Sequence, residues 1–318
     1  MIRLGGSLLS RSRASASLLV MIYHRVLTER DLMMPSEPTA ADFDAQMRLL
    51  CENFNVLPLR EAAERLRAGT LPTRAVCVTF DDGYANNCEV ALPILKTRGV
   101  PATVFVAPGF LNGGCMFNDT VIEALRQAPA EFDLSELGFG TFKLGSPASR
   151  MKAVGEILGK VKYFEPAQRL QSVRALIERS GGKLPTDLMM TDEQVRTLAD
   201  AGIDIGAHTM NHPILASIDA DTARTEILQS KRRLEEITGA PVRTFAYPNG
   251  KPERDYNRTH VTLAREAGFD LAVSTSWGAA TAQSDPFQIP RIAPWDSTAR
   301  RYAARMVNSY RQRQFQVA

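Results

Sequence analysis

The nine residues VCVTFDDGY, at positions 76–84, are the most informative part of this 318-residue chain. A run of apolar and β-branched residues, typical of a buried strand, ends abruptly in two carboxylates, Asp81 and Asp82, and a glycine. Alone, the segment is equally consistent with an ordinary polar turn and with a catalytic edge, where neighbouring carboxylates bind a cation and transfer protons. A second segment, GAHTMNHP at 206–213, holds two of the four histidines and favours the catalytic interpretation.

A repeated unit of amphipathic helix, glycine and short apolar strand surrounds these segments. It occurs four times, and its glycines are Gly99, Gly202, Gly239 and Gly268. Glycine readily takes the left-handed conformation that ends a helix, and the TDEQ segment beginning at Thr191 matches a capping box. Strands that alternate with helices predict an α/β fold with parallel strands and right-handed crossovers, either a barrel or a doubly wound sheet.

Polar residues at the ends of five predicted strands favour the barrel. The strands lead to His24, to Asp81 with Asp82, to His208, to the segment 247–250 and to Arg291. The loops after the carboxyl ends of parallel barrel strands carry active sites, whereas a doubly wound sheet collects its ligands from fewer strands. The sequence therefore predicts a TIM-like barrel with its site at this end.

Two segments depart from the repeat. Residues 111–190 are far too long for a βα loop and predict a helical insertion, with helices near 119–127, 150–161 and 166–180, that either shapes the substrate cleft or caps the barrel. The arginine-rich tail, about 297–318, is predicted to be a solvated terminal helix rather than a weak contact for an anionic membrane surface.

Composition limits the classes of protein. The net charge of +3 is too balanced to indicate nucleic-acid binding, and 44% hydrophobic residues are enough for a large core. The length fits a single barrel domain with an insertion as well as it fits two domains. The four cysteines show no C-x-x-C spacing, which favours a reducing compartment. The apolar run at 18–23 is too short for a signal peptide, and no stretch reaches the roughly 20 apolar residues of a membrane span. We therefore expect a cytoplasmic protein.

The two histidines of the second segment suggest a metal site. His208 and His212 are four residues apart, so one helical turn or a tight loop places both imidazoles on the same side. With a carboxylate oxygen from the aspartate pair they form three ligands, the pattern of catalytic zinc with water in the fourth position. The alternative is one histidine as a helix cap and the other in the core.

Three motifs carry a family resemblance. The segments TFDDGY (79–84), HTMNHP (208–213) and FAYPNG (245–250) resemble the first three motifs of the polysaccharide deacetylases, the NodB-homology group. The resemblance covers about residues 18–295 without the insertion. It implies a distorted (β/α)7 barrel that removes N-acetyl groups from amino sugars with a divalent metal, most naturally Zn²⁺ with Co²⁺, Ni²⁺ or Mn²⁺ as alternatives. It assigns Asp82, His208 and His212 to the metal and Asp81 to the catalytic base.

The sequence departs from the family pattern at two positions. Ala246 replaces the arginine that orients the base, and we predict that Arg291 substitutes for it rather than forming a surface salt bridge. The late histidine that serves as the acid is missing, and His260 is predicted to face solvent. His24, after the first strand, is our candidate acid over a structural histidine; this arrangement is similar to the poly-N-acetylglucosamine deacetylase branch.

The residues that contact the substrate, and the class of substrate, are predicted less specifically than the metal ligands. Tyr247 and Asn249 of the third motif are candidate contacts, the latter near a backbone N–H for the oxyanion. Trp295, beside Asp296, and Trp277 are candidate sugar platforms or core residues. Two other functions are considered: hydrolysis of a cyclic imide or ureide at the same site, and glycan binding without catalysis. The sequence leaves the sugar and the oligomeric state open.

Overall fold

Short parallel strands form the centre of the molecule. The computed structural model describes residues 16–293 and 299–318. The strands among them are β1 (Ser17–Tyr23), β2 (Asn55–Val56), β3 (Ala75–Phe80), β4 (Ala102–Val106), β5 (Glu131–Leu134), β6 (Gly140–Lys143), β7 (Asp204–Ala207), β8 (Thr244–Ala246), β9 (Leu271–Val273) and β10 (Ala280–Thr281).

Seven parallel segments form a closed barrel. Strands β1, β3, β4, β7, β8 and β9 pair in parallel in that order, while β2 pairs with β3 and β10 runs antiparallel to β1. The segment 289–292 then joins the last strand to the first: the Ile289 N–H donates to Ala272 O at 3.0 Å, and the Ile292 N–H donates to Val20 O at 2.8 Å. Since isolated bridges rather than a regular strand close it, the fold is a distorted (β/α)7 barrel, as predicted.

Helices connect the strands on the outside. They are α1 (Ala40–Asn53), α2 (Leu59–Arg67), α3 (Leu92–Arg98), α4 (Phe117–Gln127), α5 (Pro147–Val161), α6 (Pro166–Ser180), α7 (Asp192–Asp200), α8 (Ala220–Thr238), α9 (Arg258–Glu266) and α10 (Ala299–Ser309). The predicted capping box begins α7, where the Thr191 hydroxyl accepts the Gln194 N–H at 3.2 Å. The predicted glycine ends α8, with φ of 67° at Gly239.

Alternate residues of the strands pack on opposite sides of the sheet. Leu18, Val20, Ala75 and Cys77 belong to the cluster in the barrel interior, whereas their neighbours along the chain pack with the outer helices. Phe105 fills the interior so closely that a Cβ on the adjacent Gly206 would overlap its ring. The interior is therefore a packed core, and the site lies above it.

The chain between β4 and β7 forms a layer with its own core. Helices α4, α5 and α6 pack around buried residues that include Leu125, Ile157 and Leu176. The antiparallel hairpin of β5 and β6 joins them, an element that the sequence analysis had not indicated.

The tail differs from the solvated helix that we predicted. Tyr302 and Met306 of α10 are buried in the main core. The Tyr310 hydroxyl, just after this helix, donates to Ala75 O at 2.9 Å. One face of the helix is therefore part of the fold, because the buried residues Tyr302, Ala303 and Met306 repeat at helical spacing. Among the described residues, no helix is both long and apolar enough to cross a bilayer.

Candidate active site

A cavity of about 640 Å³ lies at the carboxyl end of the barrel strands. His24, Asp81, Asp82, His208 and His212 all line it. Asp81 lies two residues beyond Thr79, which lies two beyond Cys77, so its side chain continues the inward-facing row of β3. The strands thus bring together residues that are far apart in sequence.

Strained turns hold several of these side chains. Asp82 has φ of 76°, His212 has φ of 51° and Asn249 has φ of 59°, all in the left-handed region that non-glycine residues rarely adopt. Such a conformation costs roughly 1–2 kcal/mol and concentrates at functional sites. The three turns belong to the three motifs identified in the sequence.

Asp82, His208 and His212 form a group that could hold a metal ion. The Nε2 atoms of both histidines lie 3.5 Å from Asp82 Oδ1, and all three ligand atoms lie within 4.8 Å of one another. Tetrahedral zinc with ligand distances of about 2.0–2.2 Å requires about 3.3–3.6 Å between ligand atoms. The donor set and its spacing therefore fit a divalent cation.

The orientation of the histidines also suits ligation. His208 Nδ1 lies 2.7 Å from the carbonyl oxygen of Ala246, the residue that replaces the motif arginine. This contact places the proton on Nδ1 and leaves the Nε2 lone pair directed at the site. The pKa of His212 is lowered to about 3 by burial and by the neighbouring His208, so its ring is neutral and free to ligate.

Arg291 pairs with Asp81 inside the barrel. Its Nη1 and Nη2 donate to the two carboxylate oxygens at 2.6 and 2.7 Å, while its Nε donates to Ser274 O at 2.9 Å. Only 1% of Arg291 is exposed, and its guanidinium lies over the Phe105 ring at 5.7 Å. Burial raises the pKa of Asp81, but the charge and hydrogen bonds of Arg291, together with the charges of His208 and His24, outweigh burial and keep that pKa below its usual range. The structure thus contains a buried ion pair, not the surface salt bridge considered as the alternative.

His24 lines the same cavity, on the loop that follows β1. The Asn87 side chain donates to His24 O at 2.8 Å, and Glu37 accepts the N–H of Arg25 at 3.2 Å. These contacts fix the backbone on both sides of the imidazole. The positive charge of His24, when protonated, acts on Asp81 and Asp82, so the ring lies within electrostatic reach of both.

Two carboxylates in the cavity wall were missed by the sequence analysis. Glu37 and Asp119 both line the cavity. Burial raises the pKa of Asp119 to about 7, although the carboxylate lies 4.0 Å from Arg25 and accepts the Tyr84 hydroxyl at 3.0 Å. Neither residue belongs to a motif. The available signal for Asp119 was only an acidic residue in the first turn of a helix, a common position for a surface carboxylate.

Tyr247 does not line the cavity. Its side chain is fully buried and stacks on Tyr256, with ring centres 3.9 Å apart, and its hydroxyl donates to Phe287 O at 3.0 Å. Its backbone N–H donates to Val273 O. Because Tyr247 continues the outward-facing side of β8, beside Phe245 in the main core, we correct the prediction and leave Tyr247 out of the substrate contacts.

Replacing Tyr247 with phenylalanine tests this assignment. We expect Tyr247→Phe to lower the free energy of unfolding by about 1–2 kcal/mol, because the Phe287 carbonyl loses its buried partner. We expect kcat and KM to change by less than about twofold. Urea unfolding and steady-state kinetics measure both, and a severalfold rise in KM would return Tyr247 to the substrate site.

The other predicted residues fall in different places. Asn249 lines the cavity, and its side-chain nitrogen is buried without a hydrogen-bond partner among the described residues. Trp277 packs against the main core, with Arg305 over its ring at 5.5 Å. Trp295 and Asp296 lie outside the described residues. The prediction that His260 faces solvent is wrong. His260 is 3% exposed, and its ring turns back to accept the Asn257 N–H at the start of α9.

Comparison with known proteins gives a consistent picture. The family model for polysaccharide deacetylases matches residues 68–133 and 165–272, more than half of the chain, and its gap falls within the layer between β4 and β7. YxkH of Bacillus subtilis (strain 168), whose name assigns it provisionally to the polysaccharide deacetylases, is 22% identical over 284 residues, which are 89% of this chain and 73% of YxkH.

Two solved structures share the fold. The deacetylase PplD of Streptococcus pyogenes, solved with acetate, superposes with a TM-score of 0.60 at 21% identity, covering 92% of this chain and 98% of PplD. IcaB from Ammonifex degensii superposes with a TM-score of 0.59 at 19% identity, covering 93% and 97%. With the family model matching most of the barrel and all three motif turns present in it, the chain belongs to the polysaccharide deacetylase family.

Proposed function

We propose that this protein is a metal-dependent hydrolase that removes N-acetyl groups from an amino-sugar glycan or glycan precursor. The observation that carries the proposal is the placement of the buried Asp81–Arg291 pair beside the Asp82, His208 and His212 group in one cavity. Family membership supports the reaction class, and the donor set supports Zn²⁺ as the cation, with Co²⁺, Ni²⁺ and Mn²⁺ as alternatives.

Asp81 acts as the base in this mechanism. A divalent cation, when bound, supplies Lewis acidity that activates water and polarises the acetyl carbonyl. Asp81 accepts the proton of the attacking water, and Arg291 fixes both carboxylate oxygens and keeps the group ionised. His208 Nε2 lies 3.8 Å from Asp81 Oδ2, so base and ligand group are close enough to act on one water.

Two other residues complete the reaction. Asn249 offers an unpartnered amide nitrogen in the cavity, which supports a hydrogen bond to the carbonyl oxygen as negative charge develops. His24 protonates the departing amine nitrogen, which without a proton is a poor leaving group. An acid histidine directly after the first strand also supports a place in the poly-N-acetylglucosamine deacetylase branch. The cytoplasmic location stays a prediction, and a weak membrane-surface contact of the tail stays the alternative that the sequence left open.

Acetate release from a panel of N-acetylated saccharides, with each divalent metal, tests the function. We expect release from amino-sugar substrates with the metal-loaded protein and a loss of at least about 100-fold in Asp81→Asn. Release of acetate from no substrate, combined with measurable sugar binding, would favour the non-catalytic glycan-binding alternative. Hydrolysis of cyclic imides in preference to saccharides would favour the other enzyme class.

Removing a ligand tests the metal site separately. We expect His212→Ala to bind well below the roughly one ion per chain of the wild type, because two ligands hold zinc far more weakly than three. His260→Ala is the matched control, since His260 caps α9 and its loss should reduce stability by about 1 kcal/mol while metal content is unchanged. Elemental analysis after dialysis gives both values; full occupancy in His212→Ala would contradict the ligand assignment.

A further inference from the structure

Helix α5 forms one long wall of the active cavity. Met151, Val154 and Leu158 of this helix, and Lys162 just beyond its end, all line the cavity. Their spacing of three or four residues places them on one face. The helix axis advances about 16 Å from Met151 to Lys162 at 1.5 Å per residue, so this wall can contact much more of a substrate than its acetamido group.

Lys162 lies among other cations at the mouth. The Arg254 guanidinium is 4.7 Å from the centre of the exposed Tyr163 ring, and Lys162 Nζ is 5.6 Å from the same centre. Burial lowers the pKa of Lys162, and the charges of Lys251 and Arg254 lower it further. Lys251 is only two residues beyond Asn249, which lines the cavity.

Carboxylates neutralise this group only in part. Among the described residues, Asp255 is the one carboxylate whose charge acts on Lys162. Asp255 is itself fully buried and accepts the backbone N–H of Lys251 at 3.0 Å. One negative charge therefore faces three positive ones, which leaves a positive potential beside the cavity.

A buried cation also contacts the backbone just after α5. Arg169 of α6 is 7% exposed, donates to Lys162 O at 3.2 Å and lies over the ring of Phe117, which lines the cavity, at 4.6 Å. Burial alone lowers its pKa, and no carboxylate charge acts on it within the described part of the chain. Among the described residues no cationic charge acts on it either, so Arg169 lies apart from the charges of Lys162, Lys251 and Arg254 and holds the Lys162 backbone instead.

We propose that Lys162, Lys251 and Arg254 form an anion-binding subsite at the mouth of the active cavity, and that the substrate is an amino sugar carrying a phosphate or carboxylate group beyond its acetamido group. This inference rests on the proposed function for its placement next to the chemistry. Phosphate and carboxylate share the charged oxygens that lysine and arginine bind, and the experiment separates them.

Equilibrium binding of unreactive sugars tests the subsite without catalysis. The metal-loaded protein is titrated with glucose 1-phosphate, glucuronic acid and the neutral methyl glucoside. We expect the phosphate probe, the carboxylate probe or both to bind at least about tenfold more tightly than methyl glucoside, with an advantage that shrinks as salt increases. Tight binding of only one anionic probe identifies whether the subsite takes a phosphate or a carboxylate group.

Charge removal at the mouth is the decisive comparison. The double variant Lys162→Met/Arg254→Met should lose the advantage of the anionic probe, whereas Lys152→Met should retain it. Lys152 is on the same helix, with 81% of its side chain exposed and Glu156 3.8 Å away. An advantage that survives in the double variant places the anion elsewhere and overturns the proposal, as does equal affinity of the wild type for all three probes.

Acetate release then links the subsite to the reaction. The ratio of kcat/KM for N-acetylglucosamine 1-phosphate to that for methyl N-acetylglucosaminide should fall about tenfold in the double variant. An unchanged ratio contradicts the proposal. Absence of acetate from both sugars, with the binding preference intact, would contradict the proposed function while supporting the subsite.

Discussion

Arg291→Met is expected to lower the free energy of unfolding by about 3–5 kcal/mol and acetate release by at least about 100-fold. The side chains of Arg291 and Asp81 are 0% and 4% exposed, so methionine leaves a carboxylate buried without its main counter-charge. The two effects have different origins. The stability loss comes from the uncompensated charge, and the rate loss comes from a base that is no longer held in one orientation.

A double variant separates the two effects. Arg291→Met/Asp81→Asn removes both charges, so we expect most of the stability to return while activity stays at the level of Asp81→Asn alone. Arg291→Lys keeps the charge, but one ammonium cannot donate to both carboxylate oxygens and to Ser274 O, so it should retain part of the stability and little activity.

Urea unfolding of the metal-free proteins measures these stabilities, because bound metal would itself stabilise the fold and mask differences. A loss below about 1 kcal/mol in Arg291→Met would mean that Asp81 is solvated or protonated without its partner. In that case, Arg291 would have no role in holding the base.

The sequence predicted this pair although the segment around it is not a regular strand. The predicted strand before Arg291 is present only as isolated bridges, yet Ile289 and Arg291, two residues apart, share the inward-facing side as they would in a strand. The aspartates and histidines were candidates for a similar reason, because polar residues after several parallel strands meet at one end of a barrel.

Other parts of the site could not be predicted from the sequence. Tyr247 is beside Asn249 in the same motif, but only packing against Tyr256 shows that one is in the core and the other in the cavity. Asp119 reaches the wall because α4 packs over the loop after β1, where Arg126 Nη2 binds Asp31 at 2.7 Å. Contacts across such distances in sequence leave no local pattern.

His24→Ala is expected to lower kcat by about 10²–10⁴ while metal content and KM stay close to the wild type. His24 is not one of the three residues that form the metal group, so its loss should leave that group intact. The amide nitrogen, however, must be protonated as the C–N bond breaks. His24 is the histidine of the cavity that the metal group does not use.

The acid role makes a sharper prediction than a loss of rate. Hydrolysis of an aryl acetate ester expels a stable phenolate, a leaving group that needs no proton. Its rate should therefore fall far less in His24→Ala than the rate of hydrolysis of an N-acetyl sugar. Asp81→Asn should reduce both reactions to a similar degree, because both need the attacking water. His24→Ala with near-wild-type turnover of the sugar would remove the residue from the mechanism. Equal losses for ester and amide would instead assign His24 to positioning the loop that Glu37 and Asn87 fix, since a displaced loop disturbs both reactions alike.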